Sequence, residues 1–234
     1  MNRRPRTVSA CPVLMACLLS AASMGFAQEE SVKPGINDNF KDPDVSFYVN
    51  LFEGESRAIF KNRNEIIDVL QLEEGTDVAD IGAGTGFFSR MMAHKVGRKG
   101  TVYAVDIAES FVKHIAELSE KEGLKNIKAI VCSERSVDLP ENSIDVAFIC
   151  DVYHHFEFPF DSMASLHKAM RPGGRLVIVD FERVKGVSRE WTLGHVRCGK
   201  GTVTDEVRDS GFEFVEEVDL GMKEQWVRVF RKRG

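Results

Sequence analysis

The stretch "VADIGAGTGFFSR", residues 78–90, places three glycines between a short apolar run and a longer run of mixed character. Glycine has no Cβ atom, so a turn built on it lets a ligand come close to the backbone. In an α/β protein such a turn joins a strand to a helix at the carboxyl edge of the sheet, where ligands bind. Residues 78–90 therefore predict a ligand site, while a tight corner that binds nothing stays as the alternative.

Short β-rich runs alternate with longer runs of helical periodicity from Thr76 to Lys232. Such alternation predicts parallel βαβ units. The last two β-rich runs, "FEFVEEVDL" and "QWVRVFRK", are separated only by residues 221–224. A link this short forms a hairpin but no parallel crossover. The pattern predicts an α/β fold with a Rossmann-like, doubly wound, seven-stranded sheet, mostly parallel with an antiparallel last strand, and a helix at Thr202–Ser210.

Phe87 separates two classes of nucleotide-like cofactor. A dinucleotide-binding fingerprint, G-x-G-x-x-G/A, needs a small residue at its sixth position so that helix and strand pack closely. Counted from Gly82, that sixth position is Phe87. An NAD(P) oxidoreductase is therefore disfavoured, and the antiparallel end of the sheet disfavours it further.

The run Asp80–Gly86, with the sequence DIGAGTG, resembles motif I of the class I S-adenosylmethionine-dependent methyltransferases, (D/E)-x-G-x-G-x-G. The resemblance extends over residues 76–181 and includes "MRPGGRLVIVDF", which is similar to the L-(K/R)-P-G-G-x-L signature before the fifth strand of that family. In this signature Pro172–Gly174 is expected to form a structural turn. The resemblance implies S-adenosylmethionine as the cofactor and methyl transfer to a small-molecule acceptor, most like the ubiquinone/menaquinone-type enzymes.

The resemblance also implies how the donor is bound. Asp106 ends the second strand and would accept the two ribose hydroxyls, while Asp80 would receive the ammonium group directly or through its contacts. Ser133 or Glu134, after the third strand, would flank the adenine. The implied cofactor-binding residues are Asp80, Gly82, Ala83, Gly84, Thr85, Gly86, Asp106, Ile107, Ser133, Glu134 and Asp151.

The residues after the fourth strand are the candidates for catalysis. Asp151 lies where this fold contacts the transferable methyl group and the acceptor. Because an imidazole titrates near neutrality, His154 or His155 could act as a base when the acceptor must lose a proton. Packing in the core is the alternative for either histidine. Adjacent histidines also suggest a metal, but the sequence places no third ligand, so no metal site is predicted.

The stretch "LGHVRCGKG" follows the fifth strand. Its charged residues, Arg197 and Lys200, together with His195, could bind an anionic group of the acceptor or could belong to a polar loop. Cys150 and Cys198 loosely resemble the arsenite methyltransferases, which place thiols after the fourth and fifth strands, although the fuller set of cysteines is missing.

Residues 1–27 predict a cleaved export signal. Three arginines precede an apolar run from Cys11 to Phe26, and small residues end the segment before Gln28. A membrane anchor and lipidation at Cys17 are the alternatives. The predicted organisation is a signal peptide over residues 1–27, an N-terminal cap or lid over 28–70 and a methyltransferase domain over 71–234. The expected location is outside the cytoplasm, in the periplasm.

Charge excludes one class of partner. Cleavage after Ala27 takes away three arginines and no acidic residue, so the formal net charge changes from −5 to −8. An acidic chain repels phosphate backbones, so no nucleic-acid partner is expected. The mature chain is also expected to lack a membrane span. S-adenosylmethionine is made in the cytoplasm, so an exported enzyme would ordinarily lack its methyl donor. An exported, non-catalytic small-molecule-binding protein is therefore the alternative function. The sequence does not predict the oligomeric state.

Overall fold

A computed structural model describes residues 28–55 and 57–234 of the chain. The predicted signal peptide, with Cys11 and Cys17, lies outside these described residues. The strands are β1 (Val78–Ile81), β2 (Val102–Asp106), β3 (Ile127–Val131), β4 (Ile144–Cys150), β5 (Met170–Phe181), β6 (Phe212–Val218) and β7 (Gln225–Lys232). The α-helices are α1 (Val45–Phe52), α2 (Ala58–Lys61), α3 (Arg63–Val69), α4 (Phe87–Val96), α5 (Glu109–Glu122), α6 (Pro159–Ala169), α7 (Glu190–His195) and α8 (Lys200–Asp209).

The seven strands form one sheet in the order β3-β2-β1-β4-β5-β7-β6. Strands β1 to β5 are parallel, and β7 is antiparallel to both of its neighbours, β5 and β6. The predicted α/β sheet with an antiparallel last strand is therefore confirmed. The hairpin between β6 and β7 lets β7 enter between β5 and β6, so the last strand in the chain is not the edge strand.

The sheet has an apolar core on each face. Side chains alternate along the central strands, so Ala147 and Ile149 of β4 join one cluster while Val146 and Phe148 join the other. Helices α6 and α8 contribute Leu166, Val203 and Val207 to the first cluster. The second cluster contains residues of α3 and α4. Burial on both faces explains why the strands read as nearly continuous apolar runs.

The segment Arg171–Gly174 leaves the regular ladder, in keeping with the predicted turn. Ile144 of β4 pairs with Met170, and Val146 pairs with Arg175, so the four residues between Met170 and Arg175 loop out of register. Gly173 has a φ of 75°, a conformation that side chains disfavour. The predicted helix at 202–210 is present as α8, which begins two residues earlier and ends one residue earlier.

The N-terminal segment lies against the domain through aromatic side chains. Asp44 caps α1 by accepting hydrogen bonds from the backbone N–H groups of residues 46 and 47. Tyr48 meets Phe111 of α5 edge to face, with ring centroids 5.5 Å apart, and Phe40 lies 5.3 Å from Tyr48. In the described part of the chain, every helix is too short or too polar to cross a membrane.

Candidate functional site

The glycine loop connects β1 to α4. Gly82, Gly84 and Gly86 have φ values of 72°, 54° and 75°, so each adopts the left-handed conformation that a Cβ atom disfavours. The backbone N–H groups of Gly82 and Ala83 both donate to the carbonyl of Val105 at the end of β2. The loop is thereby tied to the neighbouring strand, and its glycines allow other groups to come close to its backbone.

Asp106 lies at the tip of the glycine loop. Its Oδ2 accepts a hydrogen bond from the Gly84 N–H at 2.8 Å, and its Oδ1 accepts one from the Ala108 N–H at 2.9 Å. The side chain is buried, and this burial raises its pKa. Ile107 lies between Asp106 and Ala108 in the chain. The structure therefore brings the predicted ribose-binding acid to the loop, where each carboxylate oxygen keeps a further lone pair for a ligand.

Asp80 lies below the loop, on the face of β1 that packs against α4. Its Oδ2 accepts a hydrogen bond from Ser89 Oγ at 2.6 Å. Burial raises the pKa of Asp80 to about 7, and the nearby carboxylate of Asp106 adds to this effect. Two buried carboxyl groups thus meet beside the loop, an arrangement that favours a cationic ligand.

Ser133 and Glu134 follow β3, whose last residue, Val131, pairs with Asp106. Both residues are exposed, so they lie at the rim of the same carboxyl edge. The Glu134 carbonyl accepts a hydrogen bond from Ser162 Oγ, which holds the loop against α6. The predicted adenine-flanking residues thus follow the strand that pairs with Asp106, the predicted ribose-binding acid.

Phe87 fills the position that a dinucleotide fingerprint keeps small. Its ring stacks on Phe60 with centroids 5.5 Å apart and meets Phe88 edge to face. The space beside the loop is thus occupied by aromatic side chains rather than by a close helix–strand contact.

The N-terminal segment crosses the glycine loop, a feature that the sequence patterns did not identify. Glu53 accepts hydrogen bonds from Thr85 Oγ1 at 2.9 Å and from Arg90 Nη2 at 2.8 Å. The Phe52 ring lies over Gly84, where a Cβ atom would be 3.3 Å from Phe52 Cε2. These contacts join the segment before residue 56 to both the loop and α4.

Asp151 begins the loop after β4 and has a φ of 54°, which is unusual for a residue with a side chain. Its Oδ2 accepts a hydrogen bond from Arg57 Nη2 at 2.5 Å. Its Oδ1 is buried and accepts no hydrogen bond from residues 28–55 or 57–234. Burial raises the pKa of Asp151 to about 6, although the Arg57 guanidinium opposes this shift. A buried oxygen without a partner is rare in native proteins and marks a place for a ligand.

Three histidines meet beyond Asp151. His154 and His155 lie on a short 3-10 turn, and the ring of His195, at the end of α7, reaches them. The centroids of the His154 and His195 rings are 5.1 Å apart, and His155 Nε2 lies 3.3 Å from His195 Nε2. The sequence places no third histidine near this pair, but the tertiary fold brings His195 to it. The separation of 40 residues hid this partner, and only the adjacent pair gave a signal.

Each predicted base has a distinct environment. His154 Nδ1 lies 2.7 Å from Asp180 Oδ1, and the His154 backbone N–H donates to Asp180 Oδ2. Burial lowers the pKa of His155 to about 2, with a further contribution from the neighbouring histidines. Burial also lowers the pKa of His195 to about 4. His155 is therefore neutral and weakly basic at physiological pH.

The charged residues after β5 are paired within the protein. Arg197 donates to both carboxylate oxygens of Glu206, at 2.8 and 2.6 Å, and Lys200 donates to Glu217 at 2.8 Å. Arg197 is therefore engaged in a buried bidentate pair rather than free for an anionic acceptor. Of the two interpretations of this stretch, the structure favours a polar loop.

The cysteines near the site are poor nucleophiles. Burial raises the pKa of Cys150 well above its ordinary value and that of Cys198 to about 11. Both are free thiols, as is Cys132. Since the thiolate is the reactive form, these environments do not favour the thiol chemistry suggested by the arsenite methyltransferases.

The strand order, the glycine loop and the acid at the end of β2 define a methyltransferase that uses S-adenosylmethionine. The chain belongs to the methyltransferase domain family, whose model matches residues 72–234. S-adenosylmethionine is the cofactor, which sets aside the dinucleotide alternative.

Known relatives support this assignment. A demethylmenaquinone methyltransferase of Listeria welshimeri is 28% identical over 120 residues, which is 51% of each chain. A ubiquinone/menaquinone biosynthesis C-methyltransferase of a Shewanella species is 25% identical over 122 residues, 52% of this chain and 49% of that one. The chain thus spans about half the length of the curated relatives that it matches.

Solved structures have the same fold. A S-adenosylmethionine-dependent methyltransferase from Aquifex aeolicus superposes with a TM-score of 0.70 at 25% identity, covering 81% of this chain and 99% of that one. Phosphoethanolamine N-methyltransferase 2 of Haemonchus contortus, in complex with S-adenosylmethionine, gives a TM-score of 0.69 at 15% identity, covering 85% of this chain and 60% of that one.

Proposed function

We propose that the protein transfers a methyl group from S-adenosylmethionine to a small-molecule acceptor at the carboxyl edge of β1, β2 and β4. The observation that carries the proposal is the hydrogen bond between Asp106 and the Gly84 N–H. It joins the glycine loop and the carboxylate of β2 into one site, as binding of a ribosyl unit requires. Methyl transfer needs mainly alignment of donor and acceptor, because the sulfonium carbon is already activated.

The proposed donor site uses the residues around the loop. Asp106 accepts hydrogen bonds from the ribose hydroxyls, and Ser133 and Glu134 flank the adenine beside Ile107. The ammonium group of the methionyl unit lies toward Asp80, whose pKa is raised by its burial. A cation placed there lowers this pKa and stabilises the charged form.

Residues 28–70 are proposed to act as a lid over the domain 71–234. Glu53 and Phe52 contact the glycine loop directly, and Arg57 contacts Asp151. The Phe52 ring lies on the backbone of Gly84, so the donor enters when this ring moves away. A closed lid then excludes water from the sulfonium centre.

The acceptor is proposed to be a small, largely apolar molecule. Phe40, Tyr48 and Phe111 form an aromatic group beside the lid, and Phe40 meets His155 edge to face at 5.1 Å. The curated relatives named above act in quinone biosynthesis, and an aromatic wall suits a ring of that type. Asp151 is the proposed proton acceptor, because its free Oδ1 and its pKa of about 6 suit a base near neutrality.

Calorimetry tests the donor site. The purified protein is titrated with S-adenosylmethionine, S-adenosylhomocysteine and NADH, and we expect the first two to bind and NADH to give no heat of binding. The variant Asp106→Asn should weaken S-adenosylhomocysteine binding by about 10–100-fold, since hydrogen bonds to a charged group contribute about 1.5–3 kcal/mol. Asp205→Asn, an exposed acid on α8, is the matched control. Tight NADH binding alone would reject the proposal; donor binding without turnover on any acceptor would favour a non-catalytic binding protein.

Export of the mature chain is a separate proposal. Gln28, the residue that follows the predicted cleavage point, has its own docking site: its backbone N–H donates to Asp161 Oδ1 at 3.0 Å, and its carbonyl accepts from Arg135 Nη1 at 2.6 Å. A free α-ammonium group at Gln28 would strengthen the contact with Asp161. This anchoring supports cleavage after Ala27, and the proposed location outside the cytoplasm rests on the signal pattern of residues 1–27.

A further inference from the structure

Three of the six histidines of the chain converge at one point of the site. One ring nitrogen of each of His154, His155 and His195 lies within 4.8 Å of those of the other two. Among the described residues, no fourth histidine, cysteine or carboxylate joins this group. His154 and His155 lie three and four residues beyond Asp151, after β4, and His195 lies at the end of α7.

Hydrogen bonds to neighbouring residues orient two of these rings. His154 Nδ1 lies 2.7 Å from Asp180 Oδ1, so Nδ1 is engaged by the carboxylate and Nε2 is the ring nitrogen that remains for a metal ion. Asn37 donates from Nδ2 to the His155 carbonyl at 3.1 Å, which orients its amide so that Oδ1 accepts from His155 Nδ1. His155 Nε2 is therefore the nitrogen with the lone pair, and it is the atom that faces His195.

The spacing of the rings matches that of a metal site. Two nitrogens bound to one tetrahedral zinc ion at about 2.0–2.1 Å lie about 3.3 Å apart. His155 Nε2 and His195 Nε2 are separated by 3.3 Å. Two neutral imidazoles at this distance can share one hydrogen, whereas a cation can be bound by a ring nitrogen of all three histidines at once. Asp180 behind His154 and Asn37 behind His155 also match the supporting partners that metal-binding histidines usually have.

We propose that His154, His155 and His195 together bind one divalent transition-metal ion, of the class to which Zn²⁺ and Co²⁺ belong. Imidazole nitrogens suit these ions rather than Mg²⁺ or Ca²⁺, which prefer oxygen ligands. Three protein ligands leave the fourth position of a tetrahedral ion to water or to a substrate atom. If the proposed methyl transfer holds, an acceptor oxygen or sulfur bound at that position loses its proton more readily, which makes it a better nucleophile. Metal binding itself does not depend on that function.

Cobalt provides a direct test. The full-length purified protein is stripped with a chelator, dialysed and titrated with Co²⁺ while the visible absorption is recorded. We expect one Co²⁺ per chain, with the intense visible bands of a four-coordinate site and no sulfur-to-cobalt charge-transfer band. Zn²⁺ added afterwards should displace the cobalt and abolish the colour, and competition against a chromophoric chelator gives the affinity.

Variants identify the ligands. His195→Ala and His155→Ala should each abolish the stoichiometric cobalt spectrum. His94→Ala, an exposed histidine on α4, is the matched control and should bind as the unchanged protein does. Asp180→Asn keeps all three rings and should weaken the affinity by about 10–100-fold, as expected for loss of a supporting carboxylate. Thermal unfolding of each variant without metal shows whether it is folded, and Zn²⁺ should raise the midpoint only where the three histidines are intact.

Three results would each overturn the proposal. The first is that the unchanged protein does not bind Co²⁺. The second is that a folded His195→Ala variant binds cobalt with unchanged affinity. The third is a sulfur-to-cobalt charge-transfer band that disappears in Cys198→Ser. Calorimetry with S-adenosylhomocysteine is independent of all three, so failure of the metal site and failure of the proposed methyl transfer give different patterns.

Discussion

Replacing Gly82 with alanine perturbs the contact between the glycine loop and the residue after Asp151. Gly82 has a φ of 72°, and a Cβ atom built on it would lie 2.6 Å from Val152 Cγ2 and still closer to Cγ1. Real Cβ atoms do not approach carbon atoms at this distance, so either the loop or Val152 must move. The substitution therefore strains the backbone and also creates a steric overlap.

The two effects have separate magnitudes. An alanine in the left-handed conformation costs about 1–2 kcal/mol. Overpacking a filled site costs about 1–3 kcal/mol more. We expect Gly82→Ala to lower the free energy of unfolding by about 2–5 kcal/mol. Gly123 provides a matched control, because its φ is also 72° but no atom lies within 4 Å of a Cβ atom built on it. Gly123→Ala should cost only the backbone part.

Urea unfolding of four proteins measures the overlap directly. These are the unchanged protein, Gly82→Ala, Val152→Ala and the double variant. Truncating Val152 removes the methyl groups that collide, so the double variant should be more stable than the sum of the single effects predicts, by about 1–3 kcal/mol. Strictly additive effects would refute the close contact, and so would a Gly82→Ala variant that is no less stable than Gly123→Ala.

Three further predictions concern charge and processing. Asp80→Asn should gain stability relative to the unchanged protein as pH rises from 4 to 8, by up to about 4 kcal/mol. The pKa of Asp80 is about 7 in the folded chain and 3.8 in the unfolded one. Between these two pH values the folded chain binds more protons than the unfolded chain, so the unchanged protein loses stability as pH rises. Equal pH profiles in urea unfolding would contradict this. Arg57→Gln should lower the free energy of unfolding by about 1.5–3 kcal/mol, because the buried Asp151 loses its charged partner; an unchanged urea midpoint would count against that ion pair. Mass spectrometry of the protein from fractionated cells should find Gln28 as the first residue, and a chain that retains Ala27 would reject cleavage at this point.

Much of the fold could be predicted from local patterns. Alternating β-rich and helical runs indicated the parallel sheet, since each element must bury an apolar face and short links restrict how strands connect. The four-residue link before β7 was sufficient to predict an antiparallel hairpin. The position of β7 between β5 and β6 was not predicted, because the order of the strands depends on which edge of the sheet is free after β5 has formed.

The donor side of the site was also accessible from sequence. Gly82, Gly84 and Gly86 are close in the chain, and their backbone conformation follows from the need to turn sharply after β1. Asp106 could be predicted because the ends of neighbouring parallel strands meet at one edge of the sheet. The contacts of Phe52 and Glu53 could not be predicted, since these two residues reach the loop only through tertiary packing.

The sequence by itself determined the mostly parallel sheet with an antiparallel end and the glycine loop, because these depend on residues that are near one another in the chain or on the regular geometry of parallel strands. The class of cofactor followed from the resemblance of Asp80–Gly86 to a known motif. Only the tertiary structure decided how the acceptor side is built. It brought His195 to the pair His154 and His155 and set Asp180 behind the first of them. Their side chains come from the turn after β4, from β5 and from the end of α7, and no local pattern specifies where these three elements meet.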